Sequence, residues 1–333
     1  EAVRDGFIAA HLRSGATSRL RVYDVGSNSD NTLEAYRRAV ADGAAVVVGP
    51  LRKESVAAMA LQGTPAVPVL ALNYLDEMQT VPPRFYQFGL APEDEARTAA
   101  EHAAGQGLRR ALALVPQTDW GERTYNAFRQ RFQALGGQVV EAARYVPGQK
   151  EYSTVVRNLL QAQKPPEEPL PPGVLPPPSR RQDADMVFMV ARPMEGRLIA
   201  PQLRFWFAGD LPTYATALVY DGRPDGDTAG LRFCDMPWML TSAATNIPER
   251  IEAAELPSQK RYPRLFAFGY DAQTLVATMR PGNGAVLARM PGMTGLLSIG
   301  GNGAVRRGLQ CAQIQDGSVL LLETPAASSL TPQ

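Results

Sequence analysis

Two runs, Phe88-Gly89-Leu90-Ala91-Pro92-Glu93-Asp94-Glu95-Ala96-Arg97 and Ala111-Leu112-Ala113-Leu114-Val115-Pro116-Gln117-Thr118-Asp119-Trp120-Gly121, set the grammar of the whole chain. The first reads as a strand that gives way to a helix. Pro92 suits a first helical turn, where its missing N–H would have no partner, and Glu93, Asp94 and Glu95 complement the positive helix start. The second opens on a short apolar run, Ala111 to Val115, without polar alternation, as in a strand covered on both faces. Asp119 is then placed to cap the helix that follows. A strand, a crossing, a helix and a buried strand, in that order, make a parallel sheet.

The same order extends in both directions. Downstream, Tyr125, Phe128, Phe132 and Leu135 share one helical face, Gly136-Gly137 supplies a left-handed stop, and Gln138 to Tyr145 is the next strand. Met186 to Val190 and Phe205 to Ala208 then read as strands flanking a helix over Met194 to Leu203. Upstream, Leu20 to Val25 alternates like a strand, Thr32 to Ala41 is helical and Ala45 to Val48 is a buried strand. Gly49-Pro50 breaks into a further helix, and Pro68 to Leu72 is another strand. The pattern predicts an α/β chain with two doubly wound, Rossmann-like lobes, and 333 residues suits two cores of ordinary size. Glu1 to Leu12 is an amphipathic helix with Val3, Phe7, Ile8 and His11 near one face, whereas such a lobe ordinarily opens on a strand. The expectation is that a strand precedes Glu1 and that the chain is the carboxy-terminal module of a longer protein.

Charged residues make up 20% of the chain and the formal net charge is +1, so no overall field draws it to nucleic acid or to an anionic membrane. No apolar run is long enough to span a bilayer. Residues 164–181, with Pro165-Pro166, Pro169, Pro171-Pro172 and Pro176-Pro177-Pro178, cannot sustain ladder or helix hydrogen bonds and are read as a tolerated surface insertion rather than a docking ribbon. The signs of chemistry are sparse. His11 and His102 both fall on helices, and there is no zinc spacing, phosphate loop or Gly-x-Ser-x-Gly elbow. Gly300-Gly301-Asn302-Gly303 reads as a turn, and nothing brings Asp24, Asp119, Asp210 and Asp271 together. The expectation is a protein that is not an enzyme and holds no cofactor or metal. Cys234 and Cys311, the two thiols, are inert if the compartment is reducing and a bridge if it is oxidising.

Gly49-Pro50-Leu51, Phe88 to Ala96, Leu114-Val115-Pro116 with Asp119-Trp120-Gly121-Glu122-Arg123, and Gly269-Tyr270-Asp271-Ala272 together resemble the LppC family of bacterial lipoproteins, activators of class A penicillin-binding proteins at the outer membrane. The similarity runs over nearly the whole chain and covers the family's carboxy-terminal domain. It implies the fold of type I periplasmic binding proteins, with three hinge crossings near Leu90 to Pro92, Met236 to Leu240 and Arg307 to Cys311. Lobe one then holds residues 1–91 and 239–307, and lobe two holds 92–238 and 308–333. The resemblance also sets the last two crossing strands side by side, which makes a Cys234–Cys311 hinge disulfide the expected reading. It further implies a periplasmic location, attached to the outer membrane through a lipidated amino-terminal region outside this chain.

Ligands of open α/β sheets sit beyond the carboxyl ends of the strands. The candidate cleft residues are therefore Leu51, Arg52, Lys53, Asn73, Tyr74, Asp119, Trp120, Arg192, Asp210 and Tyr270. Amino-acid receptors similar in fold place small hydroxyl residues after the two lobe-one strands, where this chain has Arg52-Lys53-Glu54 and Leu72-Asn73-Tyr74. Arg52 and Lys53 read as a solvated helix start, with anion binding as the alternative. Trp120 either stacks a ligand or covers the hinge. The function expected is that of a regulator of peptidoglycan synthesis that binds and stimulates a class A penicillin-binding protein. The alternative is a periplasmic solute receptor for a peptide or cell-wall fragment.

Overall fold

A computed structural model describes residues 1–15, 17–26, 29–75, 79–163, 179–240, 257–279 and 289–323. Most of the proline-rich stretch expected at 164–181 lies outside the described residues, as do parts of the expected 239–307 and 308–333 spans. The chain forms two compact units, Glu1–Leu90 with Met236–Gly308 and Ala91–Asp235 with Leu309–Gln333. It passes from one unit to the other after Leu90, Asp235 and Gly308.

In the first unit come α1 (Ala2–Arg13), α2 (Ser29–Ala41), β1 (Val47–Val48), α3 (Lys53–Ala60), β2 (Val69–Ala71) and β3 (Phe85–Gln87). The second unit continues with α4 (Pro92–Gly105), β4 (Arg110–Pro116), α5 (Asp119–Ala134), β5 (Gln138–Tyr145), α6 (Ser153–Leu160), β6 (Met186–Met189), α7 (Pro193–Phe205), β7 (Thr213–Ala215) and β8 (Arg232–Asp235). The first unit resumes with α8 (Pro237–Leu240), α9 (Pro257–Arg261), α10 (Pro263–Thr278), β9 (Met290–Gly292), β10 (Gly295–Ile299) and β11 (Val305–Gly308). Strands β12 (Gln310–Gln315) and β13 (Ser318–Leu321) return to the second unit.

The first unit carries a parallel sheet in the order β1-β2-β3 and an antiparallel one in the order β11-β10-β9. A parallel bridge between Gln87 and Ala304 joins them. Helices α1 and α10 cross where neither can carry a side chain. A Cβ on Gly6 would lie 2.0 Å from the Phe266 carbonyl oxygen, and one on Gly269 would lie 1.8 Å from that of Val3. The buried face of α1 is therefore the small-residue row Ala2, Gly6 and Ala10, not the ridge expected around Val3, Phe7, Ile8 and His11. Val3 and Phe7 flank that row and pack, half-buried, against Leu70, Phe88, Phe268 and Leu275. Leu20 to Val25, expected as a strand, carries no regular secondary structure and pairs with no strand among the described residues, with Leu20 and Val22 exposed. Among the described residues this stretch joins no strand of the β1-β2-β3 sheet, and alternation without a paired neighbour makes no ladder.

The second unit is one sheet in the order β13-β12-β8-β7-β6-β4-β5, parallel from β5 through β8 and antiparallel at β12 and β13. Residues Ala111 to Pro116 of β4 are all buried, as a strand covered on both faces requires. Ala96, Ala99, Ala100 and Ala103 let α4 lie close on the sheet, and Phe128 of α5 stacks on Phe188 of β6 with ring centroids 3.9 Å apart. Cys234 and Cys311 stand directly opposite in the β8–β12 ladder and form a disulfide within this unit.

Two local readings are corrected. Thr118, not Asp119, caps α5: its backbone is extended and its Oγ1 accepts from the Gly121 N–H at 3.0 Å, leaving Asp119 as the first helical residue. Phe205 to Ala208 is not a strand but the end of α7. Phe207 takes a left-handed conformation (φ 63°), its N–H donates to the Arg204 carbonyl, and the Ala208 N–H donates to the Leu203 carbonyl at 2.8 Å. This is the double-bonded stop that usually carries glycine, built here on an aromatic residue.

Candidate functional site

At the carboxyl edge of the first unit's parallel sheet, β1 runs into Gly49 and a cis Pro50, then into exposed Leu51, Arg52 and Lys53 at the start of α3. Asn73, beyond β2, donates from Nδ2 to the Leu51 carbonyl at 3.0 Å and accepts the Tyr74 N–H on Oδ1 at 2.9 Å. Its Nδ2 thus ties the two loops together while its Oδ1 fixes its own loop. Tyr74 donates from its hydroxyl to the Val305 carbonyl at 2.7 Å, and its ring fills the space that a side chain at Gly89 would need. Buried Gln87 accepts the Leu75 N–H on Oε1 at 2.7 Å. The polar groups of this edge thus clamp loops.

Tyr270 lies inside α10 and not at a strand end. Its backbone nitrogen faces α1, 3.1 Å from where Gly6 would carry a Cβ. Its neighbour Asp271 is buried and accepts from the Met293 N–H at 2.9 Å, the Thr294 N–H at 2.7 Å and the Thr294 hydroxyl at 2.5 Å. Burial pushes this carboxyl up against those bonds, which favour its charged form. The Gly269-Tyr270-Asp271 motif is thereby a helix crossing followed by an anchor for the β9–β10 turn.

At the carboxyl edge of the second unit's sheet, Asp119 and Trp120 follow β4 and Arg192 follows β6. The Arg192 guanidinium lies over the Trp120 ring, 5.5 Å from its centroid. Thr216, just past β7, donates from Oγ1 to the Ala191 carbonyl at 2.9 Å, and Glu95 of α4 accepts the Ala217 N–H at 2.9 Å. Tyr145, the last residue of β5, donates to the Val190 carbonyl at 2.6 Å. Glu195, in the first turn of α7, is buried, and no donor among the described residues reaches its Oε2. Burial, then the Glu195 charge, push the Tyr145 phenol well above its usual range. Asp210 is elsewhere: it precedes β7, at the amino edge, and pairs with Arg180 at 2.7 Å. Its place in the candidate list followed from reading Phe205 to Ala208 as the strand.

Glu95, Tyr145, Glu195 and Thr216 escaped the sequence reading. Tyr145 and Thr216 each have a local signal, a polar residue at or just past a strand's carboxyl end. The burial of Glu195 has none. Of the two histidines, His102 is buried between the Tyr214 hydroxyl, 2.8 Å from Nδ1, and the Glu323 carbonyl, 3.1 Å from Nε2. A carbonyl only accepts, so Nε2 carries the proton and Nδ1 accepts from Tyr214. Burial lowers the pKa of this imidazole. Gly300 and Gly303 close a turn through a Gly303 N–H to Gly300 carbonyl bond. Among the described residues no three His, Cys, Asp or Glu side chains gather as metal ligands, and no helix is long and apolar enough to cross a membrane.

The family model described as "LppC putative lipoprotein" matches residues 1–317. The penicillin-binding protein activator LpoA of Edwardsiella piscicida is 31% identical over 91% of this chain, and the match spans 46% of that relative's length. The chain thus corresponds to about half of such a relative. Among solved structures, the LpoA (YraM) C-domain from Haemophilus influenzae, described as a regulator of PBP1A, is similar with a TM-score of 0.74 and 25% identity, over 97% of this chain and 94% of that one. A solute-binding protein of an ABC transporter from Rhodopseudomonas palustris, in complex with 3,4-dihydroxybenzoic acid, shares the fold with a TM-score of 0.58 at 15% identity, over 99% of this chain and 94% of that one. The expected periplasmic-binding-protein architecture is thereby met.

Proposed function

The chain belongs to the LppC family, and from that premise we propose that it is a non-catalytic regulatory module that binds a class A penicillin-binding protein and stimulates its peptidoglycan synthesis. The observation that carries this reading is the end-to-end similarity to a domain described as a regulator of PBP1A, 97% of one chain against 94% of the other. Stimulation in this account arises because the module binds the active conformation of the synthase more tightly than the inactive one, which shifts that equilibrium. The working location is the periplasm, held to the outer membrane by a lipidated region outside these residues.

The makeup of the first unit's sheet edge supports a docking module over an amino-acid receptor. Asn73 and Tyr74 are bound to backbone where such receptors place small hydroxyl residues. Saturable binding of the purified chain to the cognate class A penicillin-binding protein, measured by surface-immobilised titration, is the expected result. Absence of binding to that synthase, in this chain and in the full-length lipoprotein alike, contradicts the proposal.

A further inference from the structure

The second unit's sheet ends on β5 at one side and on β13 at the other, and the two edges are finished differently. An edge strand offers a row of backbone N–H and C=O groups to any extended segment, and folded chains commonly blunt it with a bulge or with charge. On β5 both devices are present. Its ladder with β4 shifts register between Ala111 and Leu112, Arg144 bonds Glu122 through two nitrogens at 3.0 Å, and Arg181 bonds Glu141. Strand β13, Ser318-Val319-Leu320-Leu321, has neither: its register is unbroken, and it contains no charged residue and no proline.

Which groups of β13 face outward follows from its register with β12. The Leu322 N–H donates to the Cys311 carbonyl at 2.9 Å, and bonded pairs alternate with non-bonded ones in an antiparallel ladder. Leu320, opposite Gln313, therefore bonds inward, while Val319 and Leu321 turn their N–H and C=O away from β12. The same alternation holds across β12, where Ile314, opposite Val319, gives its N–H to the Leu231 carbonyl and takes the Gly230 N–H, both at 2.8 Å. Among the described residues no strand pairs with the outer edge of β13, and Leu320 and Leu321, on opposite faces, are 50% and 48% exposed. The edge is held at both ends, by the Asp316-Gly317 turn, with Gly317 at φ 76°, and by His102 Nε2–H, which donates to the Glu323 carbonyl at 3.1 Å. Exposed Asp316 and Glu323 flank the strand, and neither carboxylate forms an ion pair among the described residues.

Like charge at both ends disfavours a second copy. Antiparallel pairing of β13 with another β13, centred on Leu320, brings each Asp316 beside the partner's Glu323. A strand with a basic residue at each end turns the same two carboxylates into an attraction. We propose that the outer edge of β13 is a docking site to which an extended segment of the synthase, apolar in its middle and basic at both ends, adds as a further strand. Its backbone pairs with Val319 and Leu321, its apolar side chains cover Leu320 and Leu321, and its cations meet Asp316 and Glu323. That the segment belongs to the synthase rests on the regulatory reading; the openness of the edge does not.

The probe is the peptide acetyl-Lys-Thr-Val-Thr-Val-Thr-Val-Lys-amide, with a control in which glutamate replaces both lysines, titrated into the 333-residue chain while amide exchange at Val319, Leu320 and Leu321 is followed by NMR. In the free chain Val319 and Leu321 should exchange fast and Leu320 slowly. The lysine peptide should slow the first two saturably and bind at least about tenfold tighter than the glutamate peptide. Val319→Pro, which removes an outward N–H and no bond to β12, should weaken binding of the peptide and of the cognate class A penicillin-binding protein about tenfold, with little change in melting temperature. Where that variant does not fold, Asp316→Asn with Glu323→Gln should abolish the preference for lysine. No slowing with either peptide, or equal affinity for the two, overturns the proposal. So does slow exchange of Val319 and Leu321 in the free chain, which assigns the edge to residues 324–333 if it holds at every concentration and to a second copy if it grows with concentration. Synthase binding that Val319→Pro leaves unchanged overturns the proposal while the regulatory reading stands. A synthase that binds no form of the chain overturns that reading instead, and the peptide titration then decides the edge alone.

Discussion

At the carboxyl edge of the first unit's sheet, Asn73, Tyr74 and Gln87 bond to the backbone of their own unit. At the same edge of the second, Thr216, Glu95 and Tyr145 do likewise, but the buried Glu195 Oε2 meets no donor among the described residues and Arg192 rests on Trp120. At the first edge Asn73 and Tyr74 serve the scaffold while Arg52 and Lys53 stay exposed; at the second, one carboxylate oxygen is buried outside such bonds. The contrast extends to how each unit is fastened. The first relies on the close approach of α1 and α10 at Gly6 and Gly269, the second on a covalent bond between β8 and β12. The same layered α/β plan therefore tolerates different fastenings, and resemblance in fold carries no ligand chemistry with it.

The largest effect should come from the covalent fastening. The Cys234–Cys311 bond closes a loop with a sequence separation of 77 residues. Replacing both cysteines by serine should cost about 4 kcal/mol of the second unit's stability. Denaturant unfolding followed by hydrogen exchange should show protection falling first along β8 and β12; loss concentrated in α1 and α10 instead would break the assignment of that bond to the second unit.

Next in size is the helix crossing. Gly269→Ala puts a Cβ against the Val3 carbonyl, which has no flexible end to move aside, and should cost about 3 kcal/mol in the first unit. Gly301→Ala, where the added Cβ meets nothing within 4 Å, is the matched control and should be close to neutral. Equal midpoints for the two variants would show that the crossing is looser than drawn.

A smaller effect sharpens the contrast through pH. His102 is buried as the neutral tautomer, so its folded pKa lies below the unfolded value of about 6.5. Between those two values the unfolded chain binds the extra proton. The contribution of His102 is therefore intact above pH of about 6.5 and is lost as pH falls through the folded pKa, with a slope of at most about 1.4 kcal/mol per pH unit. His102→Gln should flatten that part of the stability profile, and an unchanged acid slope in the variant would assign the effect to another group. Smallest is the Trp120–Arg192 pair: Arg192→Ala should cost about 0.5 kcal/mol and shift the indole fluorescence of Trp120, whereas an unaltered spectrum would mean that the two do not stack.

Some of this architecture is written locally and some is not. Helix α4, β4, α5 and β5 were legible to within a residue or two because Pro92 with its acidic followers, the apolar run from Ala111 and the glycines at 136 and 137 each act within one turn or strand. Leu20 to Val25 misled because a strand is a property of a pair, and alternation in one segment does not supply the neighbour. Phe205 to Ala208 misled because an aromatic run looks like a buried strand, while Phe207 in fact closes a helix in the conformation usually left to glycine. That slip moved Asp210 from the amino edge to the carboxyl edge. In the candidate site, the loops after β1, β2, β4 and β6 were correctly placed at strand ends by topology, but the bonds that occupy Asn73 and Tyr74, and the burial that sets Glu195 apart, depend on residues distant in sequence.

The central claim, that this module activates a peptidoglycan synthase, is tested most directly by adding the purified chain to the cognate class A penicillin-binding protein and measuring glycan polymerisation and peptide cross-linking together. The account predicts that at least one of the two rates rises and saturates with module concentration. Rates that stay level across a concentration range that saturates binding would contradict it.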